Sequence, residues 1–110
     1  MTFDEYQDQA LRYVNPALDL NKQMIDGAMG LCDEAGETIE LIKKHIGQGH
    51  GLSLAALAEE IGDARWYMAE LAGSQGIRLD DIAAKNLRKI QQRYPRALMP
   101  LGASAGGDLV

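Results

Sequence analysis

Two stretches of this chain carry nearly the same acidic signature, Glu34-Ala35-Gly36-Glu37 and Glu60-Ile61-Gly62-Asp63. In each, two carboxylates stand at i and i+3 with a glycine just before the second acid. Positions so spaced share one face of an α-helix, so each signature aims both acids one way, and two packed helices would converge all four. Carboxylate oxygens are hard ligands suited to Mg²⁺ or Mn²⁺, and four of them describe a cage for about one to three such ions. A glycine inside a helix costs roughly 1 kcal/mol relative to alanine, so Gly36 and Gly62 are expected to be offset by close approach of a helix or ligand.

Other metals fit less well. Di-iron sites in helical bundles use Glu-x-x-His, whereas both signatures here end in an acid. Zinc would need a cysteine and histidine spacing that is absent from the sequence. Cys32, the single cysteine, cannot form an internal disulfide and reads as a small helix-packing residue beside Leu31. Neither His45 nor His50 has a reason to approach it as a base, and His50 reads as an exposed loop residue.

Four helices are expected to position these groups. Thr2-Phe3-Asp4-Glu5 is a capping box, and Phe3, Tyr6, Ala10 and Tyr13 follow at helical spacing until Asn15-Pro16. From about Leu20 to Lys44, an apolar stripe of Met24, Ala28, Leu31, Ala35, Ile39 and Ile42 predicts a long amphipathic helix. A glycine loop follows, with Ser53 as the next N-cap. Leu54, Leu57, Ile61, Ala64, Met68 and Leu71 form the seam of a third helix, which Gly73-Ser74-Gln75-Gly76 ends. Glu60 and Asp63 each precede a seam residue by one position, and so are expected to border the core. A fourth helix starts near Leu79 or Asp80 and runs through Ile82, Asn86 and Ile90 to Tyr94-Pro95. The composition after about Leu101 predicts a frayed tail. The expected fold class is therefore all-α, a four-helix, bundle-like domain over residues 1–95 with a flexible tail over 96–110.

At 110 residues, 46% hydrophobic, the chain is one small domain with little apolar surface for a deep core, so assembly into a homodimer or homotetramer is expected. No run is long and apolar enough to span a bilayer and no leader is visible, which predicts a soluble, cytoplasmic protein that does not engage membranes. A net charge of −5 argues against gripping a nucleic acid polymer, since that needs a basic face. An anionic ligand of small size remains open to an acidic protein when divalent ions accompany it.

At this point the residues resemble a known family, the MazG-like all-α nucleoside triphosphate pyrophosphohydrolases. The resemblance runs from Phe3-Asp4-Glu5-Tyr6-Gln7 through Gly30-Leu31-Cys32-Asp33-Glu34-Ala35-Gly36-Glu37, Glu60-Ile61-Gly62-Asp63-Ala64-Arg65-Trp66-Tyr67 and Asn86-Leu87-Arg88-Lys89 to Arg93-Tyr94-Pro95. Glu-x-x-Glu with a later Glu-x-x-Asp is that family's metal motif, and Asn-x-x-Lys followed by Arg-Tyr fits its last helix.

The resemblance implies Mg²⁺-dependent hydrolysis of the α-β phosphoanhydride of a (deoxy)nucleoside triphosphate, with the metal held by Glu34, Glu37, Glu60 and Asp63 and Mn²⁺ as a substitute. A nearby carboxylate would accept the proton of the attacking water, and Glu37 and Asp33 are both candidates. Asn86, Lys89 and Arg93 lie on one face of the fourth helix and offer an amide and charge to the substrate, with Lys44 beside Lys43 as a second basic source. Trp66 reads as core or interface filling rather than as a base-stacking residue. Some relatives carry two copies of the domain, and a single copy favours assembly, with Phe3, Tyr6 or Gln7 reaching a nucleobase pocket that a partner chain completes. Two rivals stand beside this reading: a phosphoribosyl-ATP pyrophosphohydrolase-like activity, and a non-catalytic acidic helical interaction module. Glu70, two turns beyond Asp63, reads as an acid outside the centre whose change to alanine leaves the rate within severalfold.

Overall fold

The computed structural model describes residues 1–102 of the chain. The expected tail lies from residue 103 onward outside the described residues, and residues 95–102 are irregular. Four helices make up the fold: α1 (Phe3–Leu11), α2 (Leu20–Gln48), α3 (Leu54–Ser74) and α4 (Leu79–Arg93). Among the described residues there is no strand, and no helix is long and apolar enough to cross a membrane.

Local signals set the starts. Thr2 caps α1, its hydroxyl accepting from the Glu5 amide at 3.0 Å while the Glu5 carboxylate accepts from the Thr2 amide. Asp19 and Ser53 cap α2 and α3 in the same way, each satisfying an otherwise orphaned amide. Two ends differ from the sequence expectation. Helix α1 stops at Leu11, and Tyr13 falls in a turn; α2 continues one turn past Lys44, until Gly49 adopts the left-handed conformation (φ 71°) that closes it.

Helix α4 begins without a cap of its own. Arg78 supplies no side-chain cap, and α1 provides the acceptors instead: Gln7 Oε1 takes the Leu79 amide and Asp4 Oδ1 takes the Asp80 amide, both at 3.0 Å. The fully buried Gln7 also donates through Nε2 to the carbonyls of Ile77 (3.0 Å) and Ala69 (3.4 Å). Gln7 is therefore a tie among α1, α3 and α4, which corrects the expectation that it faces a nucleobase pocket. Trp66 fills the core as expected, its indole N–H donating to the Ala10 carbonyl at 3.2 Å.

Helices α2 and α3 form an antiparallel hairpin, with Gly27 opposite Leu71 and Gly30 opposite Tyr67. The faces that meet coincide only in part with the predicted apolar stripes: Leu31, Ile42, Leu57, Ala64 and Leu71 are half-buried as expected. On α2, Gln23, Gly27, Leu31, Glu34, Thr38 and Leu41 are buried or half-buried, while Met24, Ala28, Ala35, Ile39 and Cys32 are exposed. On α3, Leu54, Ile61 and Met68 of the predicted seam stand 44–51% exposed. Backbone approach explains the rotation. A Cβ on Gly27 would lie 2.9 Å from the Leu71 nitrogen and 3.1 Å from its Cα, so the helices can only close along the stripe that lacks a Cβ there. Gly36 and Gly62 meet no neighbouring protein atom within 4 Å, which corrects the expectation that they mark a close helix approach.

Little apolar surface is enclosed as a result: the buried hydrophobic residues are Ala10, Ala69, Ala72 and Leu79. The radius of gyration, 16.4 Å, exceeds the roughly 13 Å of a compact chain of about this size.

Candidate metal centre

The rotation that exposes part of the apolar stripes turns Glu34 inward. Glu34 is 8% exposed and lies inside the α2–α3 interface, while the half-buried Glu60 and the exposed Asp63 border it as expected. Ligand atoms of Asp33, Glu34 and Glu37 fall within 4.8 Å of one another, as do those of Glu34, Glu60 and Asp63. Glu34 belongs to both groups and joins them into one centre. All five acids singled out in the sequence are thus brought together.

The electrostatics are those of carboxylates forced into company. Glu37 is pushed above the ordinary carboxylate range, chiefly by its hydrogen bond with Glu60 and then by that neighbour's charge. Glu60 is raised chiefly by its hydrogen bond with Glu34. Among the described residues, no lysine or arginine forms an ion pair with any of these acids. Buried oxygens Glu34 Oε2 and Glu60 Oε2 have no hydrogen-bond partner. An unpartnered buried carboxylate oxygen is costly, and a hard cation is the partner that an all-oxygen donor set accommodates.

The basic residues fall elsewhere. Asn86 and Lys89 line an open cleft of about 610 Å³ along α4 with Ile82, Lys85, Arg88 and Gln92. Arg93 ends α4 and is exposed. Lys44 lies further along α2 from Glu37 and contacts Glu40 at 3.9 Å. Helix α4 packs chiefly on α1. Asn86 also lines a smaller pocket of about 230 Å³ with Phe3, Arg65 and Met68, where the Arg65 guanidinium sits 5.2 Å from the Phe3 ring centroid and 5.9 Å from that of Tyr6. His50 is exposed as expected, its carbonyl 2.7 Å from His45 Nδ1.

Three features escaped the sequence reading. Tyr67 sits against Gly30, and Arg65 covers the aromatic rings of α1. Glu70 is 5% exposed and hydrogen-bonded to Asp26, so its change to alanine would test packing as much as chemistry. The first could have been sought in the small residue one turn before Glu34, but cross-helix partners leave no local signal.

Comparison with known proteins agrees with the acid pattern. Residues 27–98 match the model of the MazG nucleotide pyrophosphohydrolase domain, a span that contains every acid of the centre and the α4 cleft but not α1. The Gene 37 protein of Mycobacterium phage L5 is 35% identical over 75 residues, which cover 64% of this chain and 66% of the phage protein, just under two thirds of its length. No solved structure matches the chain.

Proposed function

The chain belongs to the MazG nucleotide pyrophosphohydrolase family, and from that premise we propose that it hydrolyses the α-β phosphoanhydride of (deoxy)nucleoside triphosphates, releasing monophosphate and pyrophosphate with Mg²⁺ as cofactor. The observation that carries the reading is the shared, buried Glu34, whose unpartnered oxygen stands where two groups of acids overlap. Glu34, Glu37, Glu60 and Asp63 are the residues that would hold the metal. A divalent ion there supplies positive charge to a polyphosphate and acidifies a water.

The chain's own groups account for the remaining tasks. Asp33 and Glu37, exposed at the rim of the centre, are the available proton acceptors. Lys89, Arg93 and Asn86 are assigned to substrate phosphate or sugar, with Lys44 as a further cation. The exposed Leu54, Ile61 and Met68 on α3 and Ile82 on α4 support assembly with a second copy of the chain, since a patch of this kind on a small domain calls for a partner surface. The catalytic unit on this reading is residues 1–95, because α1 caps α4 and seats Trp66.

Pyrophosphate release from each of the eight standard nucleoside triphosphates, with Mg²⁺ and with EDTA, tests the proposal. Metal-dependent release paired with monophosphate is the expected result. Turnover of a phosphoribosyl-ATP substrate alone would move the assignment to that rival. No turnover together with no metal binding would leave the interaction module.

A further inference from the structure

Tyr67 stands one helical turn after Asp63 on α3, and Gly30 one turn before Glu34 on α2. Both therefore share the face that carries the acids and occupy the layer next to them. A Cβ placed on Gly30 would clash with the Tyr67 ring, with Cγ, Cδ1 and Cε1 as its nearest neighbours, so the ring takes the space that a side chain at position 30 would need. One turn further from the acids, Gly27 lies against the Leu71 backbone. Along the hairpin the contact thus changes from backbone on backbone, to a ring on glycine, to carboxylate facing carboxylate. The ring is the last rigid spacer before the centre.

Its orientation is itself held. Tyr67 is half-buried, and its ring lies 5.3 Å from that of Trp66 at an interplanar angle of 37°. Trp66 is in turn fixed to the end of α1 by its bond to Ala10. Burial first, and then the charges of Asp26, Glu34, Glu70 and Asp33, raise the phenol above its ordinary range, so the hydroxyl keeps its proton at neutral pH.

We infer that Tyr67, seated on Gly30, is a positioning residue that sets the separation of the two acid-bearing helices at the metal centre, through its ring and not its hydroxyl. The inference rests on the metal reading above. Carboxylates that must share a small hard cation tolerate little change in spacing, and the groups that fix such ligands govern affinity without touching the ion.

The test is Mn²⁺ binding to the full chain by calorimetric titration, with helical content followed by circular dichroism and with kcat and KM measured on an accepted triphosphate. Tyr67→Phe keeps the ring and is expected to retain wild-type Mn²⁺ affinity. Tyr67→Ala and Gly30→Ala are expected to weaken it by about tenfold or more, the range for lost support of a ligand, with helical content kept and kcat falling more than KM rises. Wild-type affinity in Tyr67→Ala would overturn the inference, as would equal losses in Tyr67→Phe and Tyr67→Ala. Should Tyr67→Ala fail to fold, wild-type affinity in Gly30→Ala overturns it alone. No Mn²⁺ binding by the unaltered protein would instead overturn the metal reading, and the inference with it.

Discussion

Glu70 and Asp26 face each other across the α2–α3 hairpin as a carboxyl pair: Glu70 is 5% exposed, hydrogen-bonded to Asp26, and pushed up to about 7, first by burial and then by that bond. No ion pair to either forms among the described residues. Because the folded protein holds this proton more tightly than the unfolded chain, the favourable contribution is complete below the ordinary value of 4.5 and is lost as pH rises through about 7. In EDTA, Glu70→Gln is therefore expected to raise the thermal midpoint relative to wild type at pH 8 and to change it little at pH 5. Equal differences at the two pH values in differential scanning calorimetry would refute the shared proton.

The acidic centre should respond to metal in stability as well as rate. Mg²⁺ or Mn²⁺ is expected to raise the thermal midpoint of the wild type, since a ligand bound only by the folded state stabilises it by mass action. Glu60→Gln should remove that rise and lower kcat/KM by at least about 100-fold, with helical content kept. Glu70→Gln, which preserves volume, should leave the rate within severalfold. Similar losses in the two variants would sink the site assignment.

Gln7 ties three helices by bonds to Leu79, Ile77 and Ala69. Truncation to alanine leaves the buried Leu79 amide, the buried Ala69 carbonyl and the partly buried Ile77 carbonyl without these partners, at an expected cost of roughly 2–4 kcal/mol. Urea unfolding measures this directly. Gln7→Ala with an unchanged midpoint would mean that α4 does not depend on α1 for its cap.

Substrate charge should be read by α4. Lys89→Ala is expected to raise KM roughly tenfold, equivalent to about 1.4 kcal/mol, with a smaller effect on kcat. Added salt should narrow the gap between variant and wild type, because an exposed cation is screened. An unchanged KM would remove Lys89 from the substrate contacts.

Assembly should depend on the exposed stripe of α3. Met68→Asp, which places a charge among Leu71, Ile82 and Leu79 at the groove they line, is expected to lower the mass seen by sedimentation while leaving helical content unchanged. A wild-type protein that sediments as a monomer at all concentrations would refute the assembly outright.

The sequence by itself determined the elements and the identity of the acids. Helical periodicity, the Thr2-Glu5 capping box and the Ser53 cap are local signals, readable because each depends on residues within one turn. The paired acid signatures were legible for the same reason. Tertiary structure decided which stripe of each helix faces inward. The hairpin closes where Gly27 and Gly30 let backbone and ring approach, and this left Met24, Ile39, Ile61 and Met68 outside while Glu34 went in. It also decided that Gln7 and Asp4 cap a helix more than seventy residues away in sequence. Neither outcome leaves a local trace, since each follows from how closely two distant backbones can approach and which buried amides then need an acceptor.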